Sequence, residues 1–168
     1  MGFTDAVRSG FNNYANFNGR ALRSEYWWWA VFGWIAGVIA RALDSALHLN
    51  FATDATTGQG SGVLSLIVSL ALLIPGLAVA VRRLHDTDRS GWWLLLGIIP
   101  FLAWIVLIIG ALVASSTNSD NIGGWLALGL VPLICWIVLL VWFASKGTPG
   151  PNRYGPSRDG QALAYPHM

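Results

Sequence analysis

His85, Asp86 and Asp88 lie within four residues of one another, with Arg82, Arg83 and Arg89 around them, in a charged island between two long apolar runs. Three chemistries can be written on such a set. An imidazole beside a carboxylate suits a general base with an orienting partner. Guanidinium groups suit phosphates and carboxylates, which they hold through paired hydrogen bonds. One histidine and two carboxylates are metal-ligand types, but inside a single turn they lack the spacing of a metal site. No Ser or Cys nucleophile motif, phosphate loop or metal-ligand set accompanies them, so an arginine-carboxylate turn is the leading reading. Headgroup or phosphate binding comes second, and no cofactor or metal is expected.

A second ionisable set, Arg41, Asp44 and His48, has spacings of three and four, which stack the side chains on one helical face. It lies in the outer third of an apolar run, where an Arg41–Asp44 ion pair is expected. Transport or proton relay is the alternative, because ionisable groups within a membrane are functional candidates. Cys135, the single cysteine, reads as a small packing residue in another apolar run.

The elements that must carry these residues follow from composition. Of 168 residues, 55% are hydrophobic and 11% charged, whereas soluble domains are about one quarter charged. The apolar blocks are each long enough for the roughly 20 helical residues that cross a bilayer core. The expected fold is an all-α membrane protein, one membrane domain over 1–168, with four transmembrane helices and an N-terminal amphipathic interfacial helix.

That first helix is expected at about 3–15. Phe3, Val7, Phe11 and Tyr14 share one face, Asn12, Asn13 and Asn16 the other, and Thr4 or Asp5 is the expected cap. The spans are expected at about 26–49, 63–81, 91–114 and 124–145, followed by a tail at 146–168. Tyr26 to Trp29 suit the headgroup level. Pro75 removes a backbone donor opposite the Ala71 carbonyl, so a kink is expected there. Polar loops cover 50–62 and 115–123, and Arg82 to Ser90 form a nine-residue connection in which Asp88 or Ser90 caps the third span. A cleaved signal is not expected, since the first apolar run starts only at Tyr26.

Spans three and four repeat at an offset of 32 residues, with Gly91, Trp93, Gly97, Pro100 and Trp104 recurring as Gly123, Trp125, Gly129, Pro132 and Trp136. Consecutive spans run antiparallel, so the copies lie inverted, as repeats in transporters do. Recycled helix packing is the plainer explanation. Nine of the ten Lys and Arg residues, all but Arg41, fall in three groups, at 8–23, 82–89 and 146–158, while both polar loops lack them. The positive-inside rule then assigns both termini and the island to the cytoplasm. A basic inner face favours anionic lipid headgroups, and no nucleic-acid motif is present.

Several motifs are spread along the chain: Asn18-Gly19-Arg20-Ala21 with Arg23-Ser24-Glu25-Tyr26-Trp27; Pro75 before Arg82-Arg83-Leu84-His85-Asp86-Thr87; Arg89-Ser90-Gly91-Trp92-Trp93; and Gly147-Thr148-Pro149-Gly150 with Asn152-Arg153-Tyr154-Gly155-Pro156. On these the sequence resembles a bacterial inner-membrane family, domain of unknown function 805. The resemblance implies a small polytopic protein of the cytoplasmic membrane and no defined reaction. The chain departs from the family pattern by an extra span before the closing motif. The three motif regions are expected to meet in one cytoplasmic cluster. Arg20, Arg23, Arg82, Arg83, His85, Asp86, Arg89, Asn152, Arg153 and Tyr154 form the expected headgroup- or partner-binding set. A non-enzymatic membrane protein, with a second copy or another protein as further partner, is the leading function. A small transporter or channel, and a lipid-modifying enzyme with His85 as base and Asp86 orienting it, are the alternatives.

Overall fold

The structure is a computed structural model and describes residues 1–53, 60–98, 102, 105–106, 108–110 and 122–157. Its elements are α1 (Phe3–Asn12), α2 (Arg23–Ala46), the strands β1 (Asn50–Thr53) and β2 (Gly60–Gly62), α3 (Val63–Asp86), a 3₁₀ segment (Gly91–Gly97) and α4 (Ile122–Ala144). Residues 98, 102, 105–106 and 108–110 are helical. Among the described residues, two helices, α2 and α3, are long and apolar enough to cross a membrane. Pro100, Trp104 and residues 115–121 of the expected polar loop lie outside the described residues, and with them part of the internal repeat, while Ile122 and Gly123 already belong to α4.

The helix α1 starts without the side-chain cap expected of Thr4 or Asp5; Gly2 is its N-cap, and Asp5 lies in the first turn, where a carboxylate favours the positive end of the helix dipole. It packs along α2 through edge-to-face contacts of Phe3 with Trp28 and of Phe11 with Trp29 and Phe32. Gly10 permits that approach, because a Cβ there would stand 2.2 Å from the Trp29 ring. The helix ends before Tyr14, whose hydroxyl donates to the Ala71 carbonyl at 2.5 Å. That carbonyl is the one Pro75 leaves without an intrahelical donor, and α3 runs through the proline unbroken.

At its far end α2 stops at Ala46 because His48 takes a left-handed conformation, φ 54°. The Leu49 N–H then reaches the Asp44 carbonyl at 2.8 Å and the His48 N–H reaches Ser45 at 3.3 Å, the double bond pattern of a Schellman motif. Here the expected Arg41–Asp44 ion pair is corrected. Asp44 is fully buried and its carboxylate accepts the Leu64 and Ser65 N–H groups, both at 2.8 Å. It caps α3 from a neighbouring helix, where unpaired N–H groups and the helix dipole favour an anion over solvent exposure. Arg41 and His48 are exposed, so the three residues form no joint relay. The segment expected as loop 50–62 contains the antiparallel pair β1 and β2, with Asn50 opposite Gly62 and Thr53 opposite Gly60.

The expected nine-residue connection after the second span is also corrected. The helix α3 continues to Asp86, leaving Thr87 to Ser90 as the turn. Asp88 adopts φ 58°, and the Asp88 and Arg89 N–H groups return to His85 and Leu84, each at 3.0 Å, a second Schellman ending. Of the two candidate caps, Ser90 accepts the Trp92 N–H, while Asp88 terminates the preceding helix. Beside this turn lies the buried core of Ala80, Leu84, Leu139 and Phe143, with Tyr26, Leu94, Leu96 and Trp142 against it. Elsewhere Trp34, Ile67, Leu70 and Ile137 face outward.

Candidate functional site

A helix that ends at Asp86 leaves its last carbonyls without intrahelical donors. Each of several is met by a residue of another segment. The Thr148 N–H bonds the Asp86 carbonyl at 2.8 Å and Arg20 Nη2 reaches the same carbonyl at 3.4 Å, while one turn earlier the Ala21 N–H adds a bond to the Arg82 carbonyl at 2.9 Å. Asn152 Nδ2 donates to the His85 carbonyl at 2.9 Å and to Thr148 Oγ1 at 2.9 Å, while its Oδ1 accepts the Tyr154 N–H. The N-terminal and C-terminal motifs therefore complete the end of α3.

Charge joins the same three segments. Asp86 Oδ1 accepts from Arg20 Nε at 2.8 Å, and Oδ2 accepts from Arg83 Nη1. Arg20 also reaches the Thr148 carbonyl at 2.6 Å and that of Gly150 at 2.7 Å. Arg83 donates to the carbonyls of Phe143 at 3.1 Å and of Ser145, which ties in the end of α4. Arg82 pairs with Glu25 at 3.1 Å, and Glu25 also accepts from Ser9 Oγ at 2.9 Å. Arg20, Glu25, Arg82, Arg83 and Asp86 are each at least 97% buried, so their pairing and hydrogen bonds offset a desolvation cost of several kcal/mol per ion. Gly147 allows the closing segment to lie on Asp86; a Cβ there would fall 2.1 Å from Oδ2.

His85 faces elsewhere. Its ring stacks on Tyr154 with centroids 3.7 Å apart and planes 3° from parallel, and Nδ1 lies 3.2 Å from the Gly19 carbonyl. His85 is beyond the apolar run that ends at Val81. Burial lowers its pKa below the ordinary histidine value, the Arg153 charge lowers it further, and the Gly19 carbonyl opposes them. Because a carbonyl oxygen only accepts, Nδ1 is the donor in the contact with Gly19. Asp86 is turned away from it, so the base-and-orienter pair imagined from their adjacency is not formed.

Of the ten sequence-expected residues, Arg20, Arg82, Arg83, His85, Asp86, Asn152 and Tyr154 meet in or against this junction. Arg153 pairs with Asp88 at 3.1 Å on the surface and lies over the Tyr154 ring at 5.0 Å. Arg89 sits 4.5 Å above the Trp142 ring. Arg23 is exposed at the start of α2, outside the junction. Glu25 and Thr148 were missed as site residues; an acid five residues beyond Arg20, and the Gly-Thr-Pro-Gly run after an apolar span, were the available signals. No group of three or more potential metal ligands occurs among the described residues.

Comparison with known proteins extends the motif argument over nearly the whole chain. The family described as protein of unknown function DUF805 matches residues 14–122 and 119–156. Inner membrane protein YhaI of Escherichia coli K12 is 35% identical over 143 residues, covering 85% of this chain and 86% of that protein. Inner membrane protein YhaH of the same strain is 34% identical over 144 residues, covering 86% and 88%. No solved structure matches. The segments that close on Asp86 all fall within the matched residues, and the chain belongs to the DUF805 family.

Proposed function

We propose that the chain is a non-enzymatic, multi-pass protein of the bacterial cytoplasmic membrane, whose inner face binds lipid headgroups. In this reading four helices cross the bilayer, α1 lies in the interface and both termini are cytoplasmic. The observation that carries it is the use of the Asp86 carboxylate. Both oxygens are held by Arg20 and Arg83, which makes the island a buried tie among three segments rather than a reactive dyad. The turn that follows the tie carries Arg89, over the Trp142 ring, and Asp88, which pairs with Arg153; both arginines are among the basic groups that the charge pattern assigns to the inner side. Such cations attract anionic lipid at about 1 kcal/mol each near a membrane surface.

The test is to purify the full chain from membranes of known lipid content and weigh the phospholipid that stays bound. Replacing Arg23, Arg89 and Arg153 by Gln is expected to lower retained anionic lipid severalfold and leave zwitterionic lipid unchanged. Equal anionic lipid in parent and variant would overturn the headgroup reading.

A further inference from the structure

Tyr154 lines two cavities, one of mixed polarity and one mainly apolar. The first, of about 240 Å³, is lined by Asn13, Asn16, Asn18, Arg20, Arg82 and Tyr154 among others. The second, of about 410 Å³, is lined mainly by apolar groups, among them Val81, Trp92, Leu94 and Leu95, with His85 and Tyr154 at its polar edge. The second lies within the roughly 300–1,000 Å³ of a small-ligand pocket and the first lies below it.

Arg20 and Arg82 line the polar basin, and no carboxylate does among the described residues; behind it the guanidiniums of Arg20, Arg82 and Arg83 face the two carboxylates of Asp86 and Glu25, an excess of one positive charge. Amides from three asparagines add neutral groups that can both donate and accept. The apolar cleft lies where the apolar run of α3 ends at Val81 and the next one begins at Gly91, the level at which an acyl chain of the adjoining leaflet starts. A single molecule with a phosphate at one end and a hydrocarbon chain at the other matches the charge of one cavity and the surface of its neighbour.

We propose that these two cavities form one site for a phospholipid, with the phosphate in the asparagine-arginine basin and an acyl chain in the cleft beside Leu94 and Leu95. Tyr154 lines both ends, and its stacking on His85 fixes its position. The proposal rests on the headgroup reading above and sharpens it from a charged surface to a built site for one class of ligand.

Native mass spectrometry of the full chain in detergent tests it with three probes. These are lysophosphatidylglycerol, glycerol 3-phosphate as the headgroup alone, and lysophosphatidylcholine of the same chain length. Lysophosphatidylglycerol is expected to bind at least about tenfold tighter than either of the others. Asn16 and Leu95 are exposed, so their replacement spares the buried core. Asn16→Asp, which sets a negative charge in the basin, and Leu95→Trp, which fills the cleft, are each expected to weaken that binding about tenfold. Equal binding of lysophosphatidylglycerol and glycerol 3-phosphate would mean a phosphate site without a chain site and would overturn the proposal while leaving the headgroup reading standing. Full affinity in both variants would overturn it as well. Should a variant lose its helical circular dichroism, the ranking of the three probes on the parent protein decides. Loss of all three probes, with retained lipid unchanged by the Arg23, Arg89 and Arg153 replacements, would remove both readings together.

Discussion

Asp86 is where the largest single-residue effect is expected. Its removal leaves the Arg20 and Arg83 guanidiniums buried without their shared counter-charge. Truncating one partner of a buried ion pair costs about 3–5 kcal/mol, so Asp86→Ala is expected to lower the thermal unfolding midpoint of the purified protein far more than His85→Ala. Comparable midpoints would mean that the junction contributes little to stability. Gly147→Ala is expected to lower it by an intermediate amount, since the added methyl meets the Asp86 carboxylate and such overpacking costs about 1–3 kcal/mol. Sequence adjacency misled at this scale for a physical reason. Consecutive helical residues do not face one another, so once α3 runs to Asp86, His85 and Asp86 must serve different neighbours. The charged residues were legible as a cluster; their pairing was not, because Arg20 meets Asp86 across 66 positions of chain.

Among the elements, α3 shows how a helix break is tolerated. Pro75 withholds the N–H that would bond Ala71, and Tyr14 supplies a hydroxyl at 2.5 Å instead. A hydrogen bond of this kind contributes about 1 kcal/mol net. Tyr14→Phe is therefore expected to destabilise the protein by about that amount. In a Pro75→Ala background, where the restored amide can bond Ala71, the same change is expected to cost nothing measurable. A double-mutant cycle on thermal or denaturant unfolding reads this coupling, and additive effects would show that Tyr14 does not serve the proline gap. The apolar runs and their order were readable from composition, since length and hydrophobicity alone define them. Where helices end was not, because α2 and α3 both stop on a non-glycine residue in the left-handed region, His48 and Asp88. A pattern search for a C-terminal glycine passes over both.

Across the whole molecule, two buried carboxylates hold opposite ends of the α2 and α3 pair. Asp44 grips the start of α3 through backbone N–H groups, and Asp86 grips its end through two arginines. The asymmetry of partners matches the asymmetry of charge: the Asp44 end leads into the 50–62 segment, which has no Lys or Arg, while the Asp86 end gathers basic groups of three segments. If the bilayer sorts the chain by positive charge, the Asp86 end is cytoplasmic and the 50–62 and 115–123 loops are external. Single cysteines introduced in a Cys135→Ala background test this directly in intact cells with a membrane-impermeant thiol reagent. Thr57→Cys and Asn118→Cys are expected to react at once, and Ser157→Cys only after the membrane is permeabilised. Protection of Asn118→Cys with reaction of Thr57→Cys would mean that the chain between Gly91 and Ala114 does not cross. The four-span arrangement would then fail, and the proposed cytoplasmic position of Asn152 to Tyr154 would need a different path through the membrane.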